Sequence, residues 1–326
     1  MSIFLGALLA AGLAHAAGAE PLTVRYGQAY SSAHSIFSLP IAIGEREGLF
    51  ARAGLDLKVL IPIPGGSDKM IAALHDDEVD LTHVATPFLI RAALAGSDAV
   101  AVAAEFDNPI YSLVAKPEIK RIADLRGKVV GLADEAGTIA ISMRKLLALN
   151  GLQHGDFGVK IIEGTPTRSA CLRRGDCDAV VLGQPQDLTA IAQGYQLLGI
   201  SNDAVPELLY TVTAVRRSWA SAHKEAVTRY VRALASSFAF IRNPANREEV
   251  VKTIVATTGS SGLVARQTLD LYFNPERGVL PRHAEIDPKG LEQVIALMSE
   301  AGTLKPPIPP ADRFLDLQYL HLAGAE

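Results

Sequence analysis

Catalytic or metal chemistry in this chain would have to be built from two cysteines, eight histidines and a Gly-Ser-Ser-Gly segment. The histidines are scattered without the spacing of a metal-ligand set, and no His-Glu-x-x-His motif occurs. Residues 259–262 lack the Gly-x-Ser-x-Gly pattern of a nucleophile elbow and lie between predicted helices. Neither a Gly-x-Gly-x-x-Gly segment after a strand nor a Walker loop is found. The sequence therefore favours binding over catalysis, and we expect neither a metal nor a cofactor.

The two cysteines, Cys171 and Cys177, are six residues apart in a segment typical of a helix end, a glycine turn and a strand start. In an exported protein they could form a disulfide. They could equally be two small buried apolar side chains. Neither lies in a histidine-rich context, which argues against thiol catalysis, and the spacing leaves the pairing open.

The loops that follow the predicted strands are rich in small and hydroxyl-bearing residues. Ligands of open α/β sheets bind beyond the carboxyl ends of the strands, where helix N-termini present unpaired N–H groups that suit anionic oxygens. The loops come from both halves of the chain, so the sequence predicts a ligand cleft. They comprise residues 28–35, 65–67, 85–88, 106–108, 136–138, 165–167 and 184–186.

Length and composition bound the class of protein. The 326 residues are about twice the usual length of a single domain, which favours two lobes. Hydrophobic residues make up 49% and charged residues 20%, a globular composition that excludes wholesale disorder. The formal net charge of −4 provides no basic excess, so we expect no nucleic-acid partner.

Residues 1–19 contain no charged side chain, and an apolar run over residues 3–13 precedes two triplets of the Ala-x-Ala type. This run is too short to span a bilayer and is typical of a secretory signal peptide, although no Lys or Arg precedes it. A buried apolar helix is the alternative. We predict a signal peptide of residues 1–19, with cleavage near Ala17 or Glu20. No later segment is long and apolar enough to cross a membrane, so a soluble periplasmic protein is expected.

Strand and helix patterns alternate from Leu22 to Gln193, which predicts βαβ units and a buried, mostly parallel sheet. After Trp219 the chain reads mainly as helices. The predicted strands are 22–27, 56–61, 79–84, 99–105, 110–115, 129–132, 159–162, 179–182 and 209–215. The predicted helices are 35–47, 67–75, 87–95, 138–150, 166–174, 186–193, 222–241, 247–257, 263–272 and 290–301.

The alternation occurs twice, so we predict two α/β lobes. Lobe 1 would contain residues 20–109 and 216–326, and lobe 2 residues 110–215. The chain would cross between them at hinge strands near 110–115 and 209–215. Two crossings make a hinge with a cleft between the lobes.

Several short segments, in this order and spacing, resemble one known family. They are Leu39-Pro-Ile-Ala42, Glu45-Arg-Glu-Gly-Leu-Phe50, Ala53-Gly-Leu-Asp56, Gly65-Gly-Ser67, Glu78-Val-Asp-Leu81, Asn108-Pro109, residues 122–131 and Phe314-Leu-Asp-Leu317. From about Leu22 to Leu320 the chain resembles the ABC-transporter solute-binding family that includes aliphatic-sulfonate, taurine and nitrate binders and a thiamine-pyrimidine branch.

The resemblance implies a type II periplasmic-binding-protein fold, with two α/β lobes joined by two crossover strands and a cleft between them. It also implies the partners. A receptor of this kind closes around a small molecule and delivers it to an inner-membrane ABC permease with its ATPase, usually as a monomer.

The loops and the resemblance together give the candidate ligand-binding residues. Ser67 and Thr138 are also natural helix N-caps, Asn108 before Pro109 could simply shape a turn, and Tyr30 could be a wall or core residue. His83 matches a histidine of one branch of the family, and its alternative is a satisfied core histidine on a buried strand. The full set is Gln28, Tyr30, Ser31, Ser35, Gly66, Ser67, His83, Thr86, Asn108, Gly137, Thr138, Thr165 and Gln184.

The chain departs from the family where many relatives carry Trp-x-Pro-Tyr, because it has Gly183-Gln184-Pro185-Gln186. Amides replace an aromatic wall there, so a sulfonate or nitrate assignment cannot be transferred. Amides donate and accept hydrogen bonds, which suits a polar organic solute.

We therefore expect a periplasmic solute-binding receptor of an ABC importer that closes on a small organic anion such as a sulfonate or carboxylate. One alternative is an enzyme on the same fold, of the menaquinone-route or thiamine-pyrimidine type. The cysteine-rich motif of thiamine-pyrimidine synthases is missing here, and the menaquinone-route enzymes are typically cytoplasmic. A sensor input domain is a further alternative, for which this sequence contains no transmembrane segment. The identity of the ligand is left open by the sequence.

Overall fold

The computed structural model describes residues 20–63, 65–274, 277 and 279–325, and the predicted signal peptide at residues 1–19 lies outside them. Within these ranges the strands form two five-stranded sheets. The chain passes from the first sheet to the second after its fourth strand and returns before its tenth. These two passages agree with the predicted pair of crossovers.

The first sheet has the strand order β2-β1-β3-β10-β4. Strands β1, β2 and β3 run parallel, whereas β10 is antiparallel to both β3 and β4. Every residue of β4 is buried, although this strand lies at one end of the sheet order, and its outer edge is met by a bridge between Ala101 and Leu315. Its sequence is accordingly apolar except for Glu105. The strand bounds are β1 (Leu22–Ala29), β2 (Leu55–Ile63), β3 (Leu81–Ala85), β4 (Ala99–Phe106) and β10 (Thr211–Arg216).

The second sheet has the order β7-β6-β8-β5-β9, with β6 parallel to β7 and β8, and β5 antiparallel to β8 and β9. Its strands are β5 (Ser112–Ala115), β6 (Val129–Leu132), β7 (Gly158–Ile161), β8 (Ala179–Leu182) and β9 (Gln196–Ile200). The sequence analysis missed β9. This edge strand has the short apolar sequence Leu-Leu-Gly-Ile but is only partly buried.

Helices cover the sheets, and most lie within a few residues of their predicted positions. Those before the first crossover are α1 (Tyr30–Ala33), α2 (Leu39–Arg46), α3 (Leu49–Arg52), α4 (Ser67–His75) and α5 (Thr86–Leu94). Those associated with the second sheet are α6 (Thr138–Leu149), α7 (Thr165–Arg174), α8 (Gln186–Ala192) and α9 (Ser201–Ala204). After β10 come α10 (Arg217–Ala222), α11 (Lys224–Arg242), α12 (Arg247–Thr258), α13 (Gly262–Tyr272), α14 (Pro288–Glu300) and α15 (Gln318–Ala323).

Single 3₁₀ turns occur at Ile36–Ser38, Ile122–Leu125, Pro244–Asn246 and Ala311–Phe314. The first of these splits the helix predicted over 35–47, because Pro40 lacks the N–H that a helix interior needs and instead lies in the first turn of α2. Among the helices of the described ranges, none has the length and apolar character that crossing a bilayer requires.

The structure decides the open question of the cysteines. Cys171, in α7, and Cys177, just before β8, form a disulfide with their Cα atoms 5.5 Å apart. Between them Gly175 ends the helix with a φ of +81°, a left-handed conformation that glycine adopts without a steric penalty. Both cysteines are buried, and the bond ties the end of α7 to the strand that follows.

Candidate functional site

A cavity of about 680 Å³ is lined by residues that follow strands of both sheets. From the first sheet and its helices come Ser35, Ser67, His83 and Thr211, and from the second come Asp134, Thr138, Thr165, Arg168 and Gln184. This volume lies within the range of small-molecule sites. The cavity is thus placed where the loops of an open α/β sheet hold ligands.

The cavity wall includes part of the set predicted from the sequence. Ser35, Gly66, Ser67, His83, Thr138, Thr165 and Gln184 all line it. The side chains of Tyr30 and Ser31 lie outside the described part of the chain.

Four other predicted residues are not among the lining residues, and the hydrogen bonds of three explain why. The side chain of Gln28 donates to the carbonyl of Phe37 at 3.4 Å. Thr86 donates to the carbonyl of Leu209 at 2.6 Å. The side-chain amide of Asn108 donates to the carbonyl of Arg277 at 3.3 Å. All three side chains are buried, and these hydrogen bonds favour a structural role for them. The fourth, Gly137, adjoins the cavity as the residue before α6.

The predicted capping roles of Ser67 and Thr138 are wrong. Gly66 and Gly137 occupy the N-cap positions, with extended backbone, and neither supplies a side-chain cap. Ser67 is already the first helical residue, so its hydroxyl accepts instead from the backbone N–H of Ala85 at 3.0 Å. The buried hydroxyl of Thr138 has no hydrogen-bond partner among the described residues.

A carboxylate already lies at the N-terminus of α6. Asp134 accepts from the backbone N–H of Ala136 at 3.0 Å and from that of Gly137. The helix dipole favours a negative charge at this end, and Asp134 supplies it from within the chain. The α6 N-terminus is therefore a less suitable anion site than the sequence suggested.

Arg168 supplies the positive charge of the cavity, and the sequence analysis did not identify it. It lies in the first turn of α7 and is only 2% exposed. Its guanidinium donates to the carbonyls of Val181 (2.5 Å) and Ile162 (2.9 Å) and to the hydroxyl of Thr165 (3.0 Å). Burial lowers its pKa, but an arginine remains charged. Three of its five N–H groups are engaged by neutral acceptors, so two remain.

Two tyrosines form the aromatic part of the wall. The hydroxyls of Tyr111 and Tyr210 are 3.2 Å apart and hydrogen-bonded to each other. Phe37 stacks on Tyr111, with ring centroids 5.7 Å apart, and meets Tyr210 edge-on. Burial raises the pKa of Tyr111 to about 12 and that of Tyr210 well above its usual value, so both are neutral donors at neutral pH.

A buried polar network lies behind the part of the cavity wall that the first sheet contributes. His83 lines the cavity, and its Nδ1 lies 2.7 Å from a carboxylate oxygen of Glu105, which is fully buried. Glu105 also accepts from Tyr26 at 3.0 Å and from Thr213 at 2.7 Å, and Thr213 is bonded to Tyr230. His83 is thus a hydrogen-bonded histidine on a buried strand, which was the structural alternative given in the sequence analysis. It also lines the cavity.

The side-chain amide of Gln184 is already hydrogen-bonded within the protein, whereas the sequence analysis expected it to be available to a solute. Its Nε2 donates to Asp187 at 2.7 Å, and its Oε1 accepts from Tyr272 at 3.1 Å. Burial raises the pKa of Asp187, while hydrogen bonds from Ser112 and Gln184 oppose that shift. The amide of Gln184 therefore shapes the cavity wall with both of its polar atoms already engaged.

Local signals could have found some of the missed residues. Arg168 lies three residues after Thr165, one helical turn beyond a candidate loop. Tyr111 and Tyr210 lie at the predicted hinge strands, and Thr211 follows directly. Extending the loops 106–108 and 165–167 by one helical turn would have included Tyr111 and Arg168, whereas Tyr210 and Thr211 lie in the predicted strand 209–215, away from every candidate loop.

The protein has recognisable structural relatives, although no curated protein matches its sequence. The nitrate-binding protein NrtA of Synechocystis PCC 6803 superposes with a TM-score of 0.78 at 15% identity, covering 94% of this chain and 89% of NrtA. The aliphatic sulphonate-binding protein SsuA of Escherichia coli gives 0.70 at 19% identity, covering 93% and 99%. The ligand-binding component of an ABC-type import system of Staphylococcus aureus gives 0.77 at 14% identity, covering 94% and 100%.

At such identities these similarities show the fold. The neighbours share the periplasmic-binding-protein fold, so the fold predicted from the sequence is confirmed. A family model describes the chain at the sequence level, matching residues 35–255, more than half of its length. The chain belongs to the NMT1-like family.

Proposed function

We propose that this protein is the solute-binding receptor of an ABC importer. In this role it works in the periplasm as a monomer, closes on a small organic anion such as a carboxylate or sulfonate, and presents it to the permease with its ATPase. The solved neighbours include the ligand-binding component of an ABC-type import system, which supports the receptor role. Closure would follow from a ligand that contacts loops of both sheets at once.

The buried charge of Arg168 is the observation that carries the anionic class. Within the described residues its hydrogen-bond partners are two carbonyls and a hydroxyl, and no carboxylate forms an ion pair with it, although Asp134 acts on it electrostatically. Removing an ion from water without a directly bonded counter-ion has an unfavourable free energy of several kcal/mol. An anionic group that accepts from the remaining guanidinium N–H groups would offset that term and form charge-assisted hydrogen bonds.

The size of the cavity favours an organic solute. One water molecule takes about 30 Å³ of liquid volume, so an inorganic ion of a few heavy atoms would fill little of a cavity of about 680 Å³. The wall also contains large apolar surfaces, such as those of Phe37, Phe88 and Ile139. Such surfaces contribute affinity only when the ligand has an apolar body to bury against them.

The test compares matched ligands on the chain from Glu20. Carboxylates and sulfonates, and the neutral amides of the same acids, are titrated by calorimetry and by thermal shift. We expect the acids to bind and the amides to bind at least tenfold more weakly, since a charged hydrogen bond contributes about 1.5–3 kcal/mol. Each compound is recovered afterwards, because a receptor returns it unchanged and an enzyme on this fold converts it.

The Arg168→Met variant should lose this preference for acids over amides. The matched control is Arg173→Met, which removes an exposed arginine from the same helix. Arg168→Lys keeps the charge and checks that a lost preference does not reflect misfolding. Equal binding of acids and amides by the wild-type protein, or an unchanged preference in Arg168→Met, would refute an anion receptor based on this residue.

A further inference from the structure

The part of the cavity wall that comes from the first sheet contains a second buried hydroxyl without a hydrogen-bond partner among the described residues. It belongs to Thr211, which is 1% exposed and lines the cavity at the start of β10. The strand register pairs Thr213 with His83 and Thr211 with Ala85. Side chains alternate along a strand, so Thr211 shares a face with His83 at the diagonal position, about 7–8 Å away.

The hydrogen-bonding state of His83 can be deduced from its partner. A carboxylate only accepts, so Glu105 requires the proton of His83 to be on Nδ1. In the neutral ring Nε2 is then an acceptor, and the structure shows no hydrogen bond to it from the described residues. Thr211 can both accept and donate. This wall therefore presents an acceptor beside a hydroxyl, which suits a ligand group with an O–H or N–H to donate.

Aromatic side chains form a further part of the cavity lining. Phe37, Tyr111 and Tyr210 pack together, and Phe88 lines the same cavity. Aromatic side chains interact favourably with a further ring by stacking or edge-to-face contact. The cavity thus combines a cation from the second sheet, an acceptor and a hydroxyl from the first, and aromatic surface.

We propose that the solute is an aromatic acid carrying a hydroxyl or amino group remote from its acid group. The acid binds Arg168, the ring lies against the tyrosine pair and Phe37, and the remote donor binds His83 Nε2 and Thr211 Oγ1. Glu105 acts as a positioning residue, because it fixes the ring of His83 and the nitrogen that carries the proton. This inference rests on the proposed anion receptor and adds the chemistry of the far end of its ligand.

The test uses three ligands that differ only at that end: 4-hydroxybenzoate, benzoate and 4-methoxybenzoate. Taurine serves as an acid without a ring. We expect 4-hydroxybenzoate to bind roughly tenfold more tightly than benzoate, about the effect of one good hydrogen bond. The methoxy compound, which cannot donate, should gain nothing over benzoate.

Thr211→Val is the decisive variant, because it preserves shape and removes a hydroxyl that has no hydrogen-bond partner among the described residues. Its folded stability should therefore not fall. Its preference for 4-hydroxybenzoate over benzoate should shrink severalfold, with benzoate affinity unchanged. The matched control is Thr268→Val, since Thr268 is also buried and unpartnered among the described residues but does not line the cavity.

The outcomes separate the two proposals. If acids bind but 4-hydroxybenzoate has no advantage, or taurine binds as tightly as the aromatic acids, this inference is wrong and the anion receptor stands. If the advantage survives in Thr211→Val, the assignment of the far wall is wrong. If no acid binds more tightly than its amide, the anion receptor itself fails, and this inference with it.

Discussion

Glu105 and Arg168 are both buried charged residues, but their surroundings differ in kind. Glu105 accepts from Tyr26, Thr213 and His83, so its charge is stabilised by donors within the fold. Among the described residues Arg168 donates only to neutral acceptors, while Asp134 acts on it electrostatically. A buried charge is tolerated when it is paired and hydrogen-bonded. Glu105 meets that condition through donors of the fold, whereas for Arg168 the proposed anion would supply the directly bonded negative charge.

Asp107 gives a prediction of pH dependence at the scale of one residue. Burial raises its pKa well above the usual value, and the charges of Glu285 and Asp287 add to the shift. The folded protein therefore holds this proton more tightly than the unfolded chain. The protonated carboxyl contributes its full stabilising free energy below about pH 4. This contribution is lost as the pH rises through the pKa of Asp107 in the folded protein.

Asp107→Asn should consequently stabilise the protein at pH 7, by on the order of 1 kcal/mol. The gain should shrink toward pH 4, where the carboxyl is protonated in the folded protein and increasingly protonated in the unfolded chain. Urea unfolding between pH 4 and 8 measures this difference, with the exposed Glu118→Gln as the control. A gain that stays constant over that range would show that lost charge is not the cause.

The sequence could predict site residues only where a local signal exists. Ser67, Thr138 and Thr165 were found because they begin helices after strands, which is readable from spacing. Arg168 directly follows the predicted loop 165–167 but was missed, because its helix carries two more arginines and the pattern is typical of a solvated surface. Its burial depends on where the carbonyls of Ile162 and Val181 are placed, which is a tertiary property.

At the scale of elements, α2 and α11 pack closely through a glycine. A Cβ added at Gly44 would lie 2.3 Å from a ring carbon of Phe50 and 2.7 Å from the hydroxyl of Ser237. Both neighbours are buried, so they have little room to move. The absence of a side chain at this position therefore allows the close approach.

Gly44→Ala should destabilise the protein by about 1–3 kcal/mol through overpacking, despite a better helix propensity. Gly262→Ala is the matched control, because this residue also lies in a helix but nothing is within 4 Å of an added Cβ. It should be neutral or stabilising by up to about 1 kcal/mol. Chemical unfolding of both variants measures the contrast, and equal effects would contradict the packing argument.

The elements themselves were largely predictable, and the exceptions have physical causes. A strand such as β4 can be predicted from the apolar run at residues 99–104, because it is buried on both faces. Helices α11 and α14 show apolar positions at helical spacing. Strand β9 has a short apolar run but comes soon after α8 and a glycine, and it lies at the sheet edge, where Leu197 is exposed and the other residues are partly buried. Among the described residues its ladder partner is β5.

At the scale of the whole molecule, several contacts join the elements of one sheet to those of the other. The guanidinium of Arg91, in α5, donates to the carbonyl of Ala136 at 3.1 Å, and Tyr272, in α13, donates to Gln184 at 3.1 Å. On the outside, Lys145 of α6 and Glu300 of α14 form an ion pair at 2.7 Å. In this conformation these contacts join the two halves of the protein.

If the halves move apart in an open form of the proposed receptor, the Lys145–Glu300 pair should be broken by that movement. Lys145→Glu and Glu300→Lys each replace attraction with repulsion, so each should favour the open form. Both positions lie outside the ligand cavity. We expect each single reversal to weaken solute binding about two- to fivefold, the scale of an exposed ion pair, and to increase the radius of gyration of the ligand-free protein in small-angle scattering. The effect should shrink at high salt.

The double reversal Lys145→Glu with Glu300→Lys restores an ion pair of opposite direction and serves as the internal control. It should return both affinity and radius of gyration to near the wild-type values, because only the interaction between the two positions has been recovered. Additive losses in the double variant would mean that the two residues act independently. The contact between α6 and α14 would then not contribute to holding the receptor closed.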